Sequence, residues 1–163
     1  MCMTWLSIFN GIVVTDLLII LLTIFGFFQG KMLKNYYRTY GVSGVLLDVL
    51  IIAIGFVIAR AIYPLIFKEW SLWKFIVLLV VIQVVHDYLF YLFIKSFASP
   101  RYPLLQMFHD YAKEVSYGAI LGDSFMMVMS ALLAYALAKQ PESVNVAILI
   151  VSSYLALFAA LNV

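Results

Sequence analysis

Residues 42–62 read VSGVLLDVLIIAIGFVIARAI, and Asp48 and Arg60 are the only charges among them. Roughly twenty apolar residues cross about 30 Å of hydrocarbon as an α-helix. An amphipathic soluble helix of this length would carry a continuous polar face, and this run carries none. The stretch therefore reads as a membrane span. Upstream lies a basic aromatic connector (Lys31, Lys34, Tyr36, Tyr37, Arg38, Tyr40), and downstream Tyr63-Pro64 stops the run before Phe67-Lys68-Glu69-Trp70.

Working outward, four more runs meet the same length criterion, at about 8–28, 72–94, 115–138 and 144–162. The first closes at Gln29-Gly30-Lys31, and the third at Lys95 before a turn built on Ser99-Pro100-Arg101-Tyr102-Pro103. Leu104 to Glu114 reads as an interfacial helical lead-in to the fourth span. Lys139-Gln140-Pro141-Glu142 connects the fourth span to the fifth. The fold class expected is all-α: an integral membrane bundle of five transmembrane helices, with the lead-in before the fourth, forming one domain over residues 1–163.

Composition agrees. The chain is 66% hydrophobic and 11% charged, far from a soluble domain. A net charge of +2 without a basic cluster excludes nucleic acid as the expected partner and leaves the lipid bilayer. The single cysteine, Cys2, excludes an internal disulfide. The N-terminus lacks the basic region of a cleavable signal, so the first run is expected to remain as a span. Lys31, Lys34, Arg38, Lys95, Arg101 and Lys113 fall on one side. Lys68, Lys74 and Lys139 fall on the other, with Arg60 near its boundary, so the positive-inside rule favours N-terminus out and C-terminus in.

Small residues mark packing faces: Gly44, Asp48, Gly55 and Ala59 on the second span; Ala112, Ser116, Ala119, Asp123, Ser130 and Ala134 on the fourth; Ser152, Ala156 and Ala160 on the fifth. Gly118-x-x-x-Gly122 adds an expected close-approach pair. A homo-oligomer or a larger membrane assembly is expected besides the lipid bilayer. Two of the chain's intramembrane aspartates lie on these stripes, and so are expected to face the bundle interior.

Asp16, Asp48, Asp87 and Asp123 each interrupt an apolar run. Carboxylates at bilayer depth are costly, and they usually face partners, water or a pathway. At about 1.5 Å per residue, Asp48 lies roughly 9 Å in from the basic connector, with Asp87 and Asp123 each about 12 Å from that same side. These three are expected to form a polar cluster with Gln83, His86 and Tyr91. His109, Asp110, Lys113 and Glu114 would form its entrance. Asp16, with Thr15, is placed apart, in the opposite half or near the midplane, as a secondary and structural group.

Three readings of the cluster compete. Neutral or paired acids can tie helices together. Clustered Asp, His and Tyr can pass a proton or cation. His86, Asp87, His109 and Asp123 are metal-ligand types, but they lack ligand spacing. No cofactor is expected beyond a proton or cation.

Enzyme patterns fail on spacing. Gly41-Val42-Ser43-Gly44 resembles the Gly-x-Ser-Gly of rhomboid proteases. However, Ser43 sits at the membrane edge, whereas His86 is about 13 Å deep. Gly122-Asp123 is similar to part of the intramembrane aspartyl protease motif, but Ile120 stands where that motif has glycine. No mid-membrane lysine, multi-histidine box or phosphate loop is present. The tyrosines of the basic connector, with Trp70, Trp73 and Tyr102, are read as interfacial belts. No catalytic residue is assigned, and the chain is expected not to be an enzyme.

His86-Asp87-Tyr88-Leu89-Phe90-Tyr91, Asp110-Tyr111-Ala112-Lys113-Glu114-Val115 and Gly122-Asp123-Ser124 resemble segments of multipass membrane proteins of large DNA viruses of protists and algae. The resemblance covers residues 86–133. It implies a virion inner membrane or a host internal membrane, and it brings no catalytic residues. The leading expectation is a non-enzymatic, multipass membrane component. The alternatives are a proton or cation channel using the carboxylates and, third, an intramembrane metal-dependent or hydrolytic enzyme.

Overall fold

Thr4 starts the first helix: its hydroxyl oxygen accepts from the Ser7 backbone N–H at 3.1 Å, satisfying a donor that a helix N-terminus leaves open. A computed structural model describes residues 3–27, 31–97, 101–115 and 117–163. Helices follow in the order α1 (Trp5–Ile24), α2 (Lys31–Ile66), α3 (Leu72–Phe97), α4 (Pro103–Val115), α5 (Tyr117–Leu137) and α6 (Glu142–Ala160), with no strand among the described residues. All but α4 are long and apolar enough to cross a bilayer. The expected all-α, five-span class is what the chain adopts, and α4 is the expected lead-in. Cys2, Gln29-Gly30, Ser99-Pro100 and Ser116 lie outside the described residues.

Boundaries differ in two places. The first span ends at Ile24, not near Phe28, because Gly26 takes φ 73° and the chain closes a C-terminal turn. There the Gly26 N–H donates to the Thr23 carbonyl at 3.2 Å and the Phe27 N–H to the Leu22 carbonyl at 2.9 Å. The basic connector is helical rather than open. Residues 31–40 form the first part of α2, separated from residues 42–66 by Gly41 at φ 46°, ψ −120°. A residue with a Cβ would be strained there.

The burial pattern explains why α1 sits centrally. Its polar side chains (Ser7, Asn10, Thr15, Asp16 and Thr23) are all buried, while Trp5, Phe9 and Leu18 are exposed. Thr15 and Thr23 donate to carbonyls of their own helix, Gly11 at 2.7 Å and Ile19 at 2.8 Å. Around α1 pack α2, α5 and α6; α3 packs on α2 and α5, and α4 lies across α2, α3 and α5. α1 and α5 approach closely at Gly11, where a Cβ would collide with the Ser130 carbonyl oxygen and come within 2.8 Å of the Ala134 nitrogen.

The expected packing stripes are partly realised. Gly44, Gly55 and Ala59 are buried on α2, Ser130 and Ala134 on α5, and Ser152, Ala156 and Ala160 on α6. Gly118 and Gly122 are exposed instead, and a Cβ at Gly122 would meet nothing within 4 Å. This pair makes no close approach inside the chain.

Two side-chain devices close the end that carries the α2–α3 turn. Tyr63 stacks among Phe67, Trp70 and Phe75, with ring centroids 5.0–5.8 Å apart. Its hydroxyl donates to the Glu69 carbonyl at 2.9 Å and accepts from the Ser71 N–H at 2.8 Å. Asn145 donates to the Leu137 carbonyl at the end of α5 at 2.9 Å. Its carbonyl oxygens in turn accept from Asn10 of α1 at 2.8 and 2.9 Å. This buried amide pair joins three helices at once.

Candidate functional site

The break at Gly41 determines the site. Twelve residues of straight helix would set Tyr36 and Asp48 about 18 Å apart along the axis. Folded back at Gly41, the Tyr36 hydroxyl stands 3.0 Å from Asp48 Oδ1 and 3.0 Å from the Gly44 carbonyl. Gly44 admits the ring, because a Cβ there would lie 3.2 Å from the ring atoms. Tyr37 donates to Asp48 Oδ2 at 3.0 Å, and its oxygen stands 3.5 Å from Asp16 Oδ1. Both rings are buried, packed edge to face at 5.2 Å, against Ile20, Val45, Met107 and the small face of α6 at Ala156, Ala159 and Ala160.

The two tyrosines are thus not belt residues. A pattern of aromatic residues among lysines reads the same whether the segment lies along the interface or folds back into the bundle. A usable signal was the glycine five residues beyond Tyr36, since a break there lets the aromatic residues turn inward.

Asp16 is correspondingly not set apart. It is 0% exposed, it contacts Tyr37, and Asp48 is the carboxylate acting on it. Of the two expected placements, the opposite half and the midplane, the opposite half fails, because Tyr37 reaches inward to Asp16. Thr15 bonds only within α1 and does not join the group.

The other carboxylates continue the chain of acids sideways. Asp123 on α5 lies within electrostatic reach of Asp87 and Asp48, and makes no hydrogen bond to another described residue. Asp87 Oδ1 accepts from Gln83 Nε2 at 2.6 Å and contacts His86 Nδ1 at 3.3 Å, while its Oδ2 is buried without a partner. Gln83 is 4% exposed, but the His86 side chain is 41% exposed and stacks on Phe90. The expected set of Asp48, Gln83, His86, Asp87 and Asp123 therefore falls in one neighbourhood. Tyr91 does not belong to it: its ring is exposed on the outer face of α3.

At the entrance, α4 supplies Tyr111, which sequence reading passed over as a site residue. Burial pushes its phenol above the ordinary tyrosine range, and Asp123, Asp48, Glu114 and Asp87 add to the shift in that order. One phenol thus feels three of the four intramembrane carboxylates, and it stays a neutral hydrogen-bond donor. His109 Nδ1 stands 3.7 Å from Asp110 Oδ1, which also accepts from Gln106 at 3.1 Å. Lys113 and Glu114 are exposed. Glu114 accepts from the Lys31 backbone N–H at 2.8 Å, placing a carboxylate on the open N-terminus of α2.

Metal ligation finds no support in this geometry. Among the described residues no three His, Cys, Asp or Glu side chains converge as a metal ion would require. His86–Asp87 and His109–Asp110 remain separate neighbouring pairs.

What the arrangement can do chemically follows from its donors. Phenol hydroxyls and carboxyls can hold, share and pass protons. Comparison with known proteins gives this chemistry no relative to lean on: no family model, no curated protein and no solved structure matches the chain.

Proposed function

We propose that this chain is a non-enzymatic multipass membrane component whose buried acids and tyrosines organise the bundle. The observation that carries the reading is the double contact of Asp48 with Tyr36 and Tyr37, extended by Tyr37 to Asp16. It fastens the folded-back first part of α2 to its second part and to α1. Hydrogen bonds between helices in lipid are modest individually, about 0.6–2 kcal/mol, so three meeting at one point can set a local geometry without dominating stability. In the proposed topology, the basic side bearing Lys31, Lys34 and Arg38 lies inside, with the N-terminus out. The exposed Gly118 and Gly122 suit contact with a second copy or another membrane protein.

A second reading rests on a separate observation. Asp123 without a hydrogen bond to another described residue, Asp87 with a buried Oδ2 that has no partner, and part-exposed His86 beside Asp87 suit a proton or cation path along α3 and α5. Reconstitution separates the two. Purified protein in liposomes enclosing a pH-sensitive dye should dissipate an imposed proton gradient no faster than empty liposomes if the acids are structural. Flux above that background, lost in Asp123→Asn while the protein stays folded, would replace the first reading with the second.

A further inference from the structure

Counting protons around Tyr37 leads beyond either reading. A phenol hydroxyl has one proton to give, yet the Tyr37 oxygen faces two carboxyl groups, Asp48 Oδ2 at 3.0 Å and Asp16 Oδ1 at 3.5 Å. Two ionised carboxylates around one phenol would leave one of them pointing a bare oxygen at another oxygen. The arrangement is complete only when a carboxyl supplies a second proton. Asp48 is the better held as an anion: Tyr37 stands nearer to it than to Asp16, and the Tyr36 hydroxyl, shared with the Gly44 carbonyl, is a second donor beside it. Asp16 has no other donor among the described residues. It is 0% exposed, and its Oδ2 is buried without any hydrogen-bond partner.

We infer that Asp16, Tyr37 and Asp48 form a resident proton-holding site, with the extra proton on Asp16 donated to the Tyr37 oxygen and Asp48 ionised. The site is a relay as well as a store. When Asp16 gives its proton to the Tyr37 oxygen, Tyr37 gives its own to Asp48. The phenol is neutral before and after, no bond other than O–H is made or broken, and one negative charge moves from α2 to α1.

Among the described residues, the ionisable groups facing the site are Tyr36 and Tyr40 on α2, Asp123 on α5 and Tyr111 on α4, with no cation among the groups acting on Asp16 or Asp48. The face of α6 packed here is Ala156, Ala159 and Ala160. A lysine or arginine at this point would have let both acids ionise.

Infrared spectroscopy of the full-length protein in detergent tests this directly, since a protonated carboxyl has a carbonyl stretch that carboxylates and amides lack. Protein labelled with ¹³C at the aspartate side-chain carboxyl should show that band, shifted by the label. Asp16→Asn should remove one component of it. Tyr37→Phe should keep the component but raise its frequency, because the carboxyl loses its hydrogen-bond acceptor. No aspartate carbonyl band in the wild type would overturn the proposal. So would a band that ignores both substitutions, because the proton would then sit on another acid. Should Asp16→Asn fail to fold, the labelled wild type and Tyr37→Phe decide the matter alone.

Discussion

Two buried tyrosines at opposite ends of α2 do different work with the same hydroxyl. Tyr63 gives its proton to a backbone carbonyl and receives one from a backbone N–H, so both of its partners are neutral groups that do not titrate. Tyr37 sits between two carboxyl groups, so its neighbourhood holds charge and needs an additional proton. One end is closed by aromatic packing and the other by ionisable groups. The lesson is that burial of a tyrosine says little by itself. What matters is whether its partners can titrate.

Substitutions can break this contrast or sharpen it. Phe75→Ala, in the fully buried centre of the aromatic end, should be the most damaging, at about 3–5 kcal/mol. Thermal unfolding in micelles should show it, and a loss below that of any acid-end variant would mean the aromatic cluster is not what closes that end. Asp48→Ala comes next, at roughly 2–3 kcal/mol, because Tyr37 loses its nearer acceptor and Tyr36 keeps only the Gly44 carbonyl. Asp48→Asn should recover much of that loss, since an amide oxygen can still accept. Failure to recover would show that the negative charge, rather than the hydrogen bonding, holds Tyr36 and Tyr37.

Tyr63→Phe strands the Ser71 N–H and should cost about 1–3 kcal/mol by the same unfolding measurement. Unlike Tyr37→Phe, it should leave the carboxyl region of the infrared spectrum unchanged. Gly41→Ala, which forces a side chain into the left-handed region, should cost about 1–2 kcal/mol. Tyr36 and Tyr37 fluorescence should then report greater solvent access. Glu114→Gln should have the smallest effect, since it removes an exposed charge from the start of α2 but keeps a hydrogen-bond acceptor. Amide exchange at Lys31 is the sensitive readout.

Spans were legible because crossing hydrocarbon demands length and apolarity, and both are countable along the chain. The lead-in at α4 was legible because His109, Asp110, Lys113 and Glu114 cluster between the Pro100–Pro103 turn and the next apolar run. Gln83, His86 and Asp87 could be associated because they share a helix at spacings that force proximity. The Schellman turn at Gly26 was missed because an apolar run does not reveal where a single glycine will take positive φ. The exposed Gly118 and Gly122 could be read only as a close-approach pair, because a small-residue pair does not say which neighbour it serves.

Linear order thus determined that this is an all-α chain with five bilayer-length apolar helices, acids inside four of them and small residues on the packing faces. These follow from solvation cost and helical period, which act on each segment by itself. Only the tertiary structure decided that Asp16 and Asp48 meet. Their meeting depends on one backbone angle at Gly41, which turns ten residues of α2 back against the bundle and brings Tyr37 between acids of two different helices. That pairing is a long-range event, and no local pattern around Asp16 records it.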